Sequence, residues 1–139
     1  MGTTSLQIGY IRKPLEDAGW KAARAALAPA MSRGGLDWPS IERGLADDSM
    51  QLVAIGREGD PSLLAYAIVR SAVTRDGEAL EIIAAAGREY KTWAAWGMAA
   101  LREAARLSGM IAVLIHNRPG WRRRFPDAVF DGTSLRIAV

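Results

Sequence analysis

The strongest constraint on this chain lies between Leu80 and Trp121, where an apolar run, a polar turn, a long amphipathic segment and a second apolar run follow one another. Leu80-Glu-Ile-Ile-Ala-Ala-Ala-Gly87 reads as part of a strand spanning about Ala79–Ala86, and Gly87-Arg-Glu-Tyr-Lys-Thr92 reads as the turn after it. With Thr92 as N-cap, the spacing predicts a helix to Ser108. Trp93, Gly97, Ala100, Leu101 and Ala104 share one face of it, and Arg102, Glu103 and Arg106 share the opposite one. Gly109 supplies the stop. Met110 to Ile115 is continuously apolar, the pattern of a strand covered on both sides.

The preceding residues add strands and helices around this unit. Leu6, Ile8 and Tyr10 alternate, which predicts a half-exposed first strand. Pro14 suits a first helical position, and Glu16 and Asp17 suit a first turn. A helix is therefore expected from Pro14 to about Met31, with Leu15, Ala22 and Ala26 as its apolar stripe. A second helix is expected from near Asp37, with Pro39 just inside, to about Ala46. Gln51 to Arg57 and Leu63 to Val73 read as strands joined by a Gly/Pro turn. Arg75-Asp76-Gly77-Glu78 is a hairpin signal leading to the strand at Ala79. A short helix or turn is expected over Pro119 to Phe125. Val129-Phe130 and Leu135 to Val139 flank a last hairpin signal, Asp131-Gly132. The expected order is β-α-α-β-β-β-α-β-α-β-β: an α/β (α+β) fold with a mixed, largely antiparallel sheet flanked by helices.

The length, 139 residues, suits one domain over 1–139. No stretch is long and apolar enough to span a bilayer. Met1-Gly2-Thr3-Thr4 lacks the basic start and apolar core of a leader, which gives the expectation of a soluble protein made in a cytoplasm. The chain has no cysteine and one histidine, so thiol catalysis, disulfides and Cys/His metal sites are not expected. The net charge is +3, yet 15 of the 18 basic residues are arginine. Its planar fork suits carboxylate and phosphate partners.

The succession of elements resembles the GNAT (GCN5-related N-acetyltransferase) superfamily. Ala86-Gly87, Trp93, Gly109 and Arg118-Pro119-Gly120-Trp121 more closely resemble bacteriophage-encoded GNAT-like proteins, over about a third of the chain. The resemblance implies two roles. One is a non-catalytic virion structural or assembly component bound to other virion proteins such as portal, tail or capsid, made in the host cytoplasm and carried in the virion. The alternative is a cytoplasmic acetyl-CoA-dependent N-acetyltransferase acting on an amine.

Catalytic relatives carry a Gln/Arg-x-x-Gly-x-Gly/Ala turn whose bare backbone admits the cofactor's diphosphate at a helix start. Here the turn holds one glycine, Gly87, and Glu89 brings a negative charge. This favours the non-catalytic role, with no cofactor. Arg88, Lys91, Thr92 and Trp93 are the residues that would hold acetyl-CoA if it binds. Glu81, on the fourth strand, and His116, after the fifth, are candidate catalytic groups, although alternation also allows Glu81 to point to water. Tyr66 and Tyr90 read as core edge and loop surface. Trp20, Trp38, Arg118, Trp121, Arg122, Arg123 and Arg124 are interface candidates, because tryptophan and arginine are enriched at binding hot spots. The arginine cluster reads either as a solvated basic turn or as a contact for an acidic protein surface, rather than for nucleic acid.

Overall fold

The computed structural model describes residues 5–33, 36–116, 125, 128–130 and 134–139. The strands among them are β1 (Leu6–Ile11), β2 (Gln51–Arg57), β3 (Leu63–Thr74), β4 (Gly77–Gly87), β5 (Ala112–His116), β6 (Val129–Phe130) and β7 (Ser134–Ala138). They form one sheet in the order β1-β2-β3-β4-β5-β7-β6. All neighbours are antiparallel except β4 and β5. A parallel pair needs a crossover, and the helix α3 (Tyr90–Leu107) supplies it. The mixed, largely antiparallel sheet expected from the sequence is thus the sheet observed. The short helix or turn expected over Pro119 to Phe125 falls almost wholly outside the described residues.

The sheet is covered on both faces. Helices α1 (Trp20–Arg33) and α2 (Trp38–Ala46) lie on one side, where Ala23, Leu27, Met31, Ile41 and Leu45 are buried with Leu52, Ile68 and Ala84. On the other side α3 buries Met98 and Ala105 against Val53, Val69, Ile82, Val113 and Ile115. Each of these larger side chains contributes about 1.5–3 kcal/mol by leaving water.

Both long helices start elsewhere than the sequence pattern suggests. Pro14–Glu16 is only a 3-10 turn, and α1 opens at Trp20. The Asp17 carboxylate accepts from the Gly19 N–H at 2.7 Å, a local bond that competes with helix continuation. The buried stripe of α1 is accordingly Ala23, Leu27, Ala30 and Met31 rather than Leu15, Ala22 and Ala26. Helix α2 starts where expected, with Asp37 accepting from the Ser40 N–H at 2.7 Å.

Helix α3 begins at Tyr90, and Thr92 is inside it rather than its cap. The cap position belongs to Glu89, whose left-handed backbone (φ 56°) turns the chain. The Thr92 N–H donates to the Glu89 carbonyl at 2.8 Å, closing the first turn two residues early. The buried face then comprises Trp93, Ala94, Gly97, Met98 and Ala105, while Ala104 is exposed. At the other end the expected stop is found. Gly109 takes φ 77°, and Met110 N–H bonds back to the Ala105 carbonyl, the bonding of a glycine-terminated helix. That loop absorbs Met110, so β5 starts at Ala112.

Two glycines separate backbone from side-chain constraint. A Cβ on Gly87 would sit 2.3 Å from the Leu64 carbonyl oxygen and 2.6 Å from the Ala65 Cα, both backbone atoms of β3. A Cβ on Gly97 would crowd the tip of the Ile55 side chain, at 2.9 Å, and touch the Trp93 ring at an ordinary 3.8 Å. Gly87→Ala should therefore cost roughly 2–3 kcal/mol of unfolding free energy through overpacking. Gly97→Ala should change it by less than about 1 kcal/mol, because alanine's better helix propensity offsets the displaced methyl. Urea unfolding of the two variants checks the ranking, and equal stabilities would refute the close β3–β4 approach.

Candidate functional site

The site begins where β4 and β5 separate. Their ladder runs from Ala79↔Ala112 to Ile82↔Ile115, but β4 continues to Gly87. On its other side β4 pairs with β3 throughout, with one irregularity: Ile68 faces Ala84 while Val69 faces Ile82. Ile83 is thus the extra residue of a bulge, a feature that bends a strand and re-aims the residues after it. Beyond it, residues 84–87 have a ladder partner on the β3 side only, among the described residues. A strand edge with unpaired N–H and C=O groups is a ready template for another extended, amide-bearing chain.

A cleft of about 540 Å³ adjoins this edge. Ala26 and Pro29 of α1, Leu63, Leu64 and Tyr66 of β3, Ala85 to Arg88, Tyr90 and Trp93 line it. Its walls are mostly small or apolar, and among the described residues its one charged lining residue is Arg88. Pro29 lies inside α1 and deprives that helix of one backbone bond on the cleft side. The Tyr66 phenol is pushed above its ordinary pKa by burial and, secondarily, by the charge of Asp17.

The cleft ends at the start of α3. Trp93 is 5% exposed; its indole N–H donates to the Arg88 carbonyl at 2.8 Å and its ring meets Tyr90 edge-on at 5.2 Å. Tyr90, expected on a loop surface, is therefore the half-buried first residue of the helix. Arg88 N–H bonds to the Leu64 carbonyl, which ties the turn to β3. The Arg88 and Lys91 side chains remain exposed. Glu89 is held from a distance: Arg57 Nη2 and Nη1 of β2 donate to its two carboxylate oxygens at 2.8 and 3.3 Å. Arg88 Nη1 adds a contact at 3.3 Å. These hydrogen bonds, Arg57 first, hold the Glu89 carboxyl below its ordinary pKa of 4.5.

Glu81 is 3% exposed and forms an ion pair with Arg70 Nε of β3. The alternative of a water-facing Glu81 is not met. Leu80 and Ile82 pack under α3, so alternation places Glu81 on the α1/α2 face, at the root of the fork.

The four residues named for cofactor contact, Arg88, Lys91, Thr92 and Trp93, are gathered at one corner. Lys91 and Thr92 are exposed within the first turn of α3. His116 ends β5 opposite Ser134, but its side chain lies outside the described residues, as do Arg118, Trp121, Arg122, Arg123 and Arg124. Trp20 and Trp38 are partly buried against the α1/α2 core, edge-to-face at 6.0 Å, with the Arg24 guanidinium 4.8 Å from the Trp38 ring centre. Their rings fasten α1 to α2. Sequence reasoning missed Arg57, Pro29 and the role of Tyr66 as a cleft wall. Arg57 meets Glu89 across 32 positions, a separation that leaves no local signal. No group of three or more His, Cys, Asp or Glu capable of holding a metal occurs among the described residues, and no described helix is long and apolar enough to cross a membrane.

This arrangement defines the GNAT class of fold. No protein-family model matches the chain, and no curated protein sequence matches it. Solved structures do. An N-acyl amino acid synthase, FeeM, from uncultured soil microbes superposes with a TM-score of 0.64 at 12% identity, covering 99% of this chain and 91% of that one. The IAA acetyltransferase from Bacillus cereus ATCC 14579 gives 0.58 at 13% identity, covering 97% and 100%. A Bacillus subtilis acetyltransferase solved in complex with CoA gives 0.58 at 12% identity, covering 97% and 99%. At these identities the likeness establishes the fold.

The Arg57–Glu89 pair makes a pH-dependent contribution of known sign. A carboxyl whose pKa is depressed in the folded state stabilises it above the ordinary carboxylate range and loses that contribution as the pH falls through the folded value. In a carbon-detected NMR titration the Glu89 side chain should have its midpoint below 4.5. Arg57→Gln should move that midpoint upward. A wild-type midpoint at or above the ordinary value would show that the pair does not form in solution.

Proposed function

We propose that the chain is an acyl-CoA-dependent N-acyltransferase that acylates an amine. The observation that carries this reading is the divided edge of β4: residues 83–87 are freed from β5 directly beside an apolar cleft and the start of a long helix. A CoA thioester has an arm with two amides and a diphosphate, and the residues fit both parts. The free edge at 83–87 matches the amides. Ala85, Ala86 and Trp93 would wall the arm. The diphosphate would meet Arg88, Lys91 and the first turn of α3, whose outward N–H groups favour anions. When bound, the thioester supplies an activated acyl group.

The chain's own residues then have defined tasks. Glu81, at the root of the fork on the α1/α2 face, would take the proton of the incoming amine, and Arg70 would orient it. Tyr66, a phenol whose pKa burial raises further, would offer a hydrogen-bond donor in the cleft. The fold's structural neighbours include acetyltransferases, one of them with CoA bound, which supports the reading. The virion role rests on a crowded, acidic turn without a second glycine. The Arg57–Glu89 pair weakens that motive, since the acid is neutralised within the fold.

Calorimetric titration with acetyl-CoA tests the proposal. A dissociation constant in the micromolar range corresponds to about 8 kcal/mol, and ligand at a hundredfold excess over it should add about 2.7 kcal/mol of stability. Absence of both heat and melting shift at millimolar ligand would end this reading and return the virion role to first place. With an amine acceptor identified, Glu81→Gln should lower kcat by about 100-fold or more, with little change in acetyl-CoA affinity.

A further inference from the structure

Helix α3 has an unusual start. Its N-cap residue is an acid, yet that acid makes no capping hydrogen bond to the helix. A short carboxylate such as Asp at this position accepts from first-turn N–H groups, and any acid there is attracted to the positive helix end. Here the Glu89 side chain is taken by Arg57, bidentately, from β2, with a longer contact of 3.3 Å from the neighbouring Arg88. Arg57 is only partly exposed, with about a quarter of its side chain accessible. The outcome is a helix start whose side-chain cap has been withdrawn, beside two exposed cations, Arg88 and Lys91.

Two alternative placements of Glu89 show what this achieves. Swung onto the helix end, the carboxylate would occupy the N–H groups that an anion needs. Left in solvent, it would repel that anion at close range. Bound to Arg57, it does neither. Gly87 cannot supply the missing freedom, because its bare Cα is already taken up by the contact with β3. Resting on the acyl-CoA reading, we propose that Arg57 is a positioning residue for the cofactor's diphosphate: by holding Glu89 aside and neutralised, it does for this turn what extra glycines do in a bare phosphate loop.

The test compares acetyl-CoA affinity, by calorimetry, in the wild type, Arg57→Ala and the double variant Arg57→Ala/Glu89→Gln, at low and at high salt. Arg57→Ala should weaken binding by about tenfold at low salt, the scale of one uncompensated charge a few Å from the ligand at a protein surface. Adding Glu89→Gln should restore most of the affinity, since the charge to be neutralised is gone. The gap between wild type and Arg57→Ala should shrink at high salt. If Arg57→Ala binds as tightly as wild type, or if the double variant stays as weak as the single one at both salt concentrations, the proposal is overturned while the acyl-CoA reading stands. If the wild type binds no acetyl-CoA, both fall together.

Discussion

The site depends on how closely β4 lies against β3 at Gly87. Without a Cβ there, β4 stays paired to β3 up to the turn, and the Arg88 N–H can reach the Leu64 carbonyl. The bulge at Ile83 meanwhile turns the same strand away from β5. One strand therefore has two neighbours for its first half and one for its second. The sheet opens without coming apart, since β4 keeps its ladder to β3 as far as Gly87 while its other edge is left without β5. The free edge, the apolar cleft and the start of α3 all result from that division, and a side chain at position 87 would push β3 and β4 apart where the division is made.

Electrostatics gives the opening its character. In linear order, Glu89 is an acid placed inside a turn that would receive a diphosphate, and linear order alone favours a protein without a cofactor. In space the acid faces Arg57 from another strand as well as its neighbour Arg88, and Lys91 lies exposed beside them. A charge acts on its surroundings through distance and dielectric, not through sequence separation. The same point applies to Glu81, whose alternation along β4 is compatible with solvent but whose actual environment is the protein interior beside Arg70.

Much of the fold was legible because its signals are local. β2 begins and ends where its apolar run does, the Asp37 cap starts α2, and Gly109 ends α3. The strand order of the meander followed from short turns, which force neighbours to pair antiparallel. The starts of α1 and α3 were misplaced because each depends on a specific bond: Asp17 to the Gly19 N–H in one case, a left-handed Glu89 in the other. Moving a helix start changes which residues face the core, so the expected stripes of α1 and α3 shifted with it. At the site, Arg88, Lys91, Thr92 and Trp93 could be named together because they are consecutive or nearly so. Pro29, Tyr66 and Arg57 come from other elements, and only folding brings them to the same corner.

The sequence by itself determined the succession of strands and helices as far as the strand ending at His116, and the largely antiparallel sheet, because hydrophobic period, caps and turn residues act over a few positions. Only the tertiary structure decided that β4 parts from β5 after Ile82, that Glu81 is buried, and that Glu89 is answered by Arg57. Those outcomes rest on packing distances and charge pairs between residues far apart in the chain, which no local pattern encodes.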